Sequence, residues 1–172
     1  ELTKKRTTAI THLDFIFSKL QHIGEIISIQ QSYSNLKVFK EYVNINQIIK
    51  ENFSLYEDSL EKREIITEYY FREDIPMILI ESAGLMQVFS NLVKNSIEAI
   101  DTYPEGDKRI IVRTDIVDIQ GKKFIKVIFS DSGIGISEDH LNKISNYGFT
   151  TKKSGHGFGL HYSFNFIKKA GG

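Results

Sequence analysis

Apolar positions along the chain change period several times, and each change marks an element. Over residues 10–27 they recur as Ile10, Leu13, Phe17, Leu20, Gly24 and Ile27, a 3-4 spacing that lines them up along one seam of a helix. Ile16, Ile23 and Ile26 broaden that seam, so this helix needs a bundle or dimer partner to be stable in water. His12 and His22 lie on it, but neither opens an H-E-x-R-x-P-like box, and both read as ordinary surface or interface histidines. Residues 34–43 break the pattern and read as a linker, so residues 1–36 are expected to form one unit and residues 37–172 another. Asn44, with Gln47 three positions on, predicts a capped helix carrying Ile48, Ile49, Phe53, Tyr56 and Leu60. Residues 65–71 and 77–80 are β-branched, aromatic or aliphatic and predict strands.

The helical period returns with Leu85, Val88, Phe89, Leu92, Ser96 and Ala99, which form a stripe for burial. Gln87, Asn91, Asn95 and Glu98 line another face, where solvent exposure is the ordinary fate of such residues. Residues 109–118 and 122–131 alternate around Ile119, Gln120 and Gly121, a hairpin. In its second strand Ile125, Val127, Phe129 and Asp131 share a face, so the Asp131 carboxylate points with the apolar set and needs a donor. The alternative is that Asp131 caps the turn before Gly133. Ser137, Glu138 and His140 predict a short helix, residues 141–153 are polar enough to form a lid, and Leu160 opens a last helix with Phe164 and Ile167 expected inside.

Two glycine clusters bracket that lid: D-S-G-I-G-I-S at residues 131–137 and G-H-G-F-G-L at residues 155–160, with F-T-T-K at residues 149–152 between them. Glycines before a helix start leave room for an anion at unpaired N–H groups and the positive end of the dipole. The spacing matches neither G-x-x-x-x-G-K-[ST] nor G-x-G-x-x-G, so no P-loop or Rossmann site is supported. With N-L-V-K-N-S-I-E-A at residues 91–99, the three segments in this order resemble the N box and the two glycine boxes of the superfamily of histidine kinases, gyrase, Hsp90 and MutL ATPases. F-T-T-K resembles that region of nitrogen-sensor-like histidine kinases, and residues 19–33 resemble the second helix of a sensor-kinase dimerisation hairpin.

The resemblance implies an α+β fold: a two-layer α/β sandwich of the Bergerat type, a mixed sheet under helices, preceded by a dimerisation helix and lacking its last strand. It implies ATP as the bound nucleotide, held by Asn91, Asn95, Asp131, Gly133, Gly135, Ile136, Thr150, Thr151, Lys152, Gly155, His156, Gly157, Phe158, Gly159 and Leu160. By the same resemblance Asn95 binds Mg²⁺, Asn91 lies beside the phosphates as the catalytic position, and Asp131 meets the adenine amino group. His156 is expected to act through its backbone N–H. In hydrolytic relatives the first N-box position resembles a Glu that activates water; Asn91 cannot take a proton at neutral pH, so transfer to an external nucleophile is favoured over hydrolysis. The implied nucleophile is a histidine on an upstream helix, the implied assembly a homodimer through the N-terminal helix, and the implied partner a response regulator. A serine protein kinase or anti-sigma-type regulator, a pure ATPase and a binding module without catalysis remain as alternatives.

Bulk properties narrow the rest. Lys+Arg and Asp+Glu both number 22, so no global field draws the chain to nucleic acid or an anionic membrane, and phosphate binding must be local. The absence of cysteine excludes disulfides, thiolate zinc sites and cysteine nucleophiles, and fits a cytoplasmic location. No apolar run approaches the ~20 residues of a membrane span.

Overall fold

The computed structural model describes residues 39–103, 105–152 and 157–172. The chain divides into two compact units, Glu1–Val38 and Phe39–Gly172, and the described residues lie in the second. The helix expected over residues 10–33, with His12 and His22, lies outside the described residues, as do Gly155 and His156.

A short strand β1, Glu41–Val43, delivers the chain to Asn44, whose extended backbone (φ −92°, ψ 117°) ends the strand and starts helix α1, Ile45–Ser54. The Asn44 side chain accepts the Gln47 N–H at 3.3 Å, as the cap predicts. The reciprocal half of the box is not made, because Gln47 Nε2 donates at 2.8 Å to Glu51 one turn along. The single helix expected as far as Leu60 is two. The Leu55 and Tyr56 N–H groups bond back three residues to Asn52 and Phe53, tightening the last turn, and the chain restarts as α2, Glu57–Glu61. Phe53 and Leu60 are both buried on either side of the break.

Strand β2, Ile66–Phe71, pairs in parallel with β4, Arg109–Ile119, which pairs antiparallel with β5, Lys122–Asp131. The one mixed sheet expected is thus three-stranded, and β1 with β3, Ile78–Ile80, forms a separate two-stranded antiparallel ribbon. The hairpin loop has two residues, not three, since Ile119 pairs with Lys122. Gln120 (φ 54°) and Gly121 (φ 79°) both take the left-handed conformation that matches strand twist in a two-residue turn, and Asp118 accepts the Gly121 N–H at 2.8 Å.

Strand parity assigns the two faces of the sheet. Tyr69, Val112 and Phe129 stand side by side on one of them. Phe53 of α1 meets Tyr69 edge-on at 5.4 Å and stacks with Phe129 at 6.0 Å. Phe89 of helix α3, Ser82–Asp101, stacks on the same Phe129 at 5.8 Å, so both helices cover that face. The other face is polar: Glu68 pairs with Arg109 and accepts from the Tyr70 hydroxyl, and Arg113 lies 4.3 Å from the Tyr70 ring centre.

Helix α3 is enclosed on more sides than one stripe. Leu85, Val88 and Phe89 are buried as expected, and so are Val93, Ile97 and Ile100. The second set faces neighbours because α3 packs between α1, β5 and the final helix α5, Gly159–Lys169. On α5 the expected inner residues are the outer ones: Phe164 is 47% and Ile167 38% exposed, whereas Ser163 is buried and Tyr162 and Phe166 pack against the core. Rotation of α5 is set by its polar junction with α3 and by Phe166 lying over Gly84, where a Cβ would come within 2.1 Å of the ring. The architecture is therefore α+β, with a mixed sheet under a helical layer.

Candidate functional site

Asp131 ends β5 with its carboxylate toward α3, as parity predicts. Oδ2 accepts from Ser96 Oγ at 3.2 Å and Oδ1 from the Gly133 N–H at 3.0 Å, so the inward-pointing and turn-capping readings hold together. Ser96 thus belongs to the site; as a small hydroxyl on the buried stripe it is the donor that the parity argument required. The residue is exposed, and a carboxylate has about four acceptor positions, so capacity remains for a further donor. The loop is pressed onto α3: Ile134 N–H donates to Ala99 O at 3.2 Å, and a Cβ on Gly133 would lie 2.5 Å from the Ala99 carbonyl carbon. Gly135 has φ 73°, a conformation costly for other residues. Ile136 is exposed beside it.

Along the N-box face of α3 the two amides have different partners. Asn91 is 7% exposed, donating to Gly159 O at 2.9 Å and Ser163 Oγ at 3.2 Å while Oδ1 accepts from Gln87 at 3.0 Å. This face is therefore not simply solvated; at Asn91 it is a buried hydrogen-bonded junction between the N box and the second glycine box. Asn95, one turn on, stays partly exposed and accepts from Lys152 Nζ at 2.8 Å through Oδ1. Glu98 pairs with the same ammonium.

The second glycine box feeds directly into α5. Gly157 has φ 70°, and a Cβ there would come within 2.4 Å of Gly148 and Phe149, so the box is packed against the middle of the lid segment. Phe158 precedes the helix, which has no side-chain cap. Gly159 O receives both Asn91 and Ser163, the latter at 2.9 Å from one turn along. Leu160 is half-buried. Tyr162 on the inner side has its hydroxyl pushed up to about 12, first by burial and then by the Glu81 charge.

Between the boxes, α4 spans Glu138–Leu141, and residues 142–152 run as turns. This segment is fastened to α5 by Tyr147, whose ring lies 4.8 Å from Phe158 and 5.3 Å from His161, and by the His161 ring on Ser145 O at 2.8 Å. The Thr150 hydroxyl accepts the Lys152 N–H at 3.1 Å, and Thr151 is exposed. Asp131, Asn91, Asn95, Lys152, Gly157 and Gly159 are thereby all joined to one helix, α3, or to its immediate neighbours. Ser163, Gly84 and Glu98 complete the arrangement. Ser163 was legible only as a hydroxyl four residues after Gly159, the distance for bonding back to that carbonyl.

Sporulation kinase A of Bacillus subtilis (strain 168) is 31% identical over 159 residues, which are 91% of this chain and 25% of that protein. The chain thus spans about a quarter of the length of that curated relative. The catalytic domain of histidine kinase ThkA superposes with a TM-score of 0.60 at 29% identity, covering 76% of this chain and 80% of that domain. Histidine kinase ThkA in complex with response regulator protein TrrA gives 0.56 at 26% identity, over 81% of this chain and 40% of that one. Among the described residues no helix is long and apolar enough to cross a membrane. The family model for histidine kinase-, DNA gyrase B-, and HSP90-like ATPases matches residues 80–172, more than half of the chain, and the chain belongs to that family.

Proposed function

We propose that this chain is the ATP-binding catalytic part of a sensor histidine kinase, placing the γ-phosphoryl group of ATP before a histidine on a partner helix. The observation that carries the reading is the convergence on α3 of a carboxylate with spare acceptor capacity near its C-terminal end, Asp131, and of a glycine-flanked helix start at its middle, Gly159. Asp131 would take the adenine amino group, with Gly133 and Gly135 letting the loop close and exposed Ile136 giving apolar cover to the base. The α5 start, preceded by Gly157, offers backbone N–H groups and the helix dipole to the triphosphate. Thr150 and Thr151 belong to the same phosphate side in this reading, and Gly155 and His156 lie outside the described residues.

A divalent cation fits the residues present, because Asn95 Oδ1 and Glu98 already hold one cation, the Lys152 ammonium. Asn95 would hold Mg²⁺, which prefers oxygen ligands shared with phosphates and would neutralise triphosphate charge. Asn91 fixes the glycine box to the N box and supplies no base, so water is not activated there. Catalysis then rests on positioning and electrostatics. The name of histidine kinase ThkA supports a histidine acceptor, and the ThkA–TrrA complex supports a response regulator as onward partner. Homodimerisation through residues 1–36 and a cytoplasmic location complete the proposal.

The test uses γ-labelled ATP. The chain alone should bind Mg-ATP, hydrolyse it very slowly and leave itself unlabelled; adding a helical hairpin that carries the acceptor histidine should give acid-labile, base-stable label. Acid-stable label on a serine, or brisk hydrolysis by the chain alone, would overturn the reading.

A further inference from the structure

The lid segment meets α3 through a cation. Lys152 Nζ donates to Asn95 Oδ1 at 2.8 Å and pairs with the Glu98 carboxylate, residues 57 and 54 positions away in the chain. Asn95 and Glu98 are three apart on one helix, so their oxygens project side by side. The Thr150 hydroxyl holds the Lys152 N–H at 3.1 Å, which turns the chain just before the ammonium arrives. These contacts bind the Lys152 end of the segment to α3, whereas Tyr147 and His161 bind its middle to α5.

We propose that Lys152 is a tethered cation holding the Asn95–Glu98 oxygen pair, and that it yields this pair to the divalent cation that arrives with nucleotide. The inference rests on the reading above and adds Glu98 and a lid rearrangement to it. An ammonium and a divalent ion cannot share the Asn95 oxygen at contact distance, because like charges so close repel. Arrival of the metal therefore frees the Lys152 end of the lid. Until then Lys152 substitutes for the metal, masking the Glu98 charge against the triphosphate.

Two measurements test this together: the gain in ATP affinity on adding Mg²⁺, by titration with and without chelator, and hydrogen exchange of residues 142–152 without nucleotide. Lys152→Met should increase the Mg²⁺ gain by about fivefold or more, the low end of the coupling seen between linked binding events, while Lys152→Arg keeps it near the parent value. Without nucleotide, Lys152→Met and Glu98→Gln should each speed exchange in the segment, and the double variant should go no further than Lys152→Met alone. An unchanged Mg²⁺ gain in Lys152→Met, or exchange unaffected by either substitution, overturns the proposal. Should the parent chain bind no ATP, the proposed function fails, and the exchange arm still decides whether the Lys152 clasp exists.

Discussion

Replacing Asn91 by Ala should destabilise the protein without nucleotide, because this side chain is the junction of α3 with α5. Three hydrogen bonds disappear: to Gly159 O at 2.9 Å, to Ser163 Oγ at 3.2 Å and from Gln87 at 3.0 Å. Their partners are not equally stranded. Gly159 O keeps the Ser163 hydroxyl, and half-buried Gln87 can turn to water. The loss is thus nearer one buried hydrogen bond than three, about 1–3 kcal/mol, and the better helix propensity of Ala returns up to about 0.7 kcal/mol. A net ~1–2 kcal/mol corresponds to roughly 2–8 °C in Tm for a chain of this size. Asn91→Asp should cost more than Asn91→Ala despite its equal size, since it faces the Gly159 carbonyl with an acceptor and places a charge in a buried position. Urea and thermal unfolding of the three proteins, all without nucleotide, measure this. Equal midpoints for the parent and Asn91→Ala, or an Asp variant as stable as the parent, would refute the junction.

Further substitutions probe other contacts. Gly133→Ala puts a Cβ 2.5 Å from the Ala99 backbone, so it should cost ~1–3 kcal/mol of stability as overpacking and weaken ATP binding by lifting the loop; unchanged melting would contradict the close approach. Gly84→Ala should gain about 1 kcal/mol of helix propensity yet lose more to the Phe166 ring 2.1 Å away, and Phe166→Leu should relieve that loss in a double-mutant cycle; additive effects would place Phe166 elsewhere. Arg72 bridges Asp74 and Asp115, and its hydrogen bonds hold both carboxyls below the ordinary Asp range. Their stabilisation is complete above that range and lost as pH falls through the lower folded values. The parent should therefore exceed Arg72→Met in stability at neutral pH, the gap should begin to close near the ordinary Asp range, about pH 4, and vanish below the lowered folded values, and a gap persisting in strong acid would contradict the pairing.

Period and parity carried most of the fold to the page. The β5 alternation fixed which way Asp131 faces, and the Asn44–Gln47 pair fixed where α1 begins, because both are local consequences of backbone geometry. Tertiary partners were not legible in the same way. The exposed placement of Phe164 and Ile167 follows from where Asn91 and Gly84 hold α5, and an apolar pattern on a short helix has no means of choosing between two such faces. The break between α1 and α2 likewise serves burial of both Phe53 and Leu60. At the site, motif order brought the right segments together. That Lys152 should rest on Asn95 and Glu98 depends on a lid whose path no spacing rule contains.

The proposed contact of Asp131 with the adenine amino group is open to a base-discrimination experiment. Affinities of the parent and of Asp131→Asn should be measured for ATP and for inosine triphosphate, which replaces that amino group with a carbonyl oxygen. The parent should prefer ATP by roughly ten- to hundredfold, the worth of one charge-assisted hydrogen bond of about 1.5–3 kcal/mol. Asp131→Asn should lose most of the preference, with unfolding without nucleotide altered by about one neutral hydrogen bond, ~1 kcal/mol, through Ser96 or Gly133. Equal affinity of the parent for the two nucleotides, or a preference that survives in Asp131→Asn, would contradict the account.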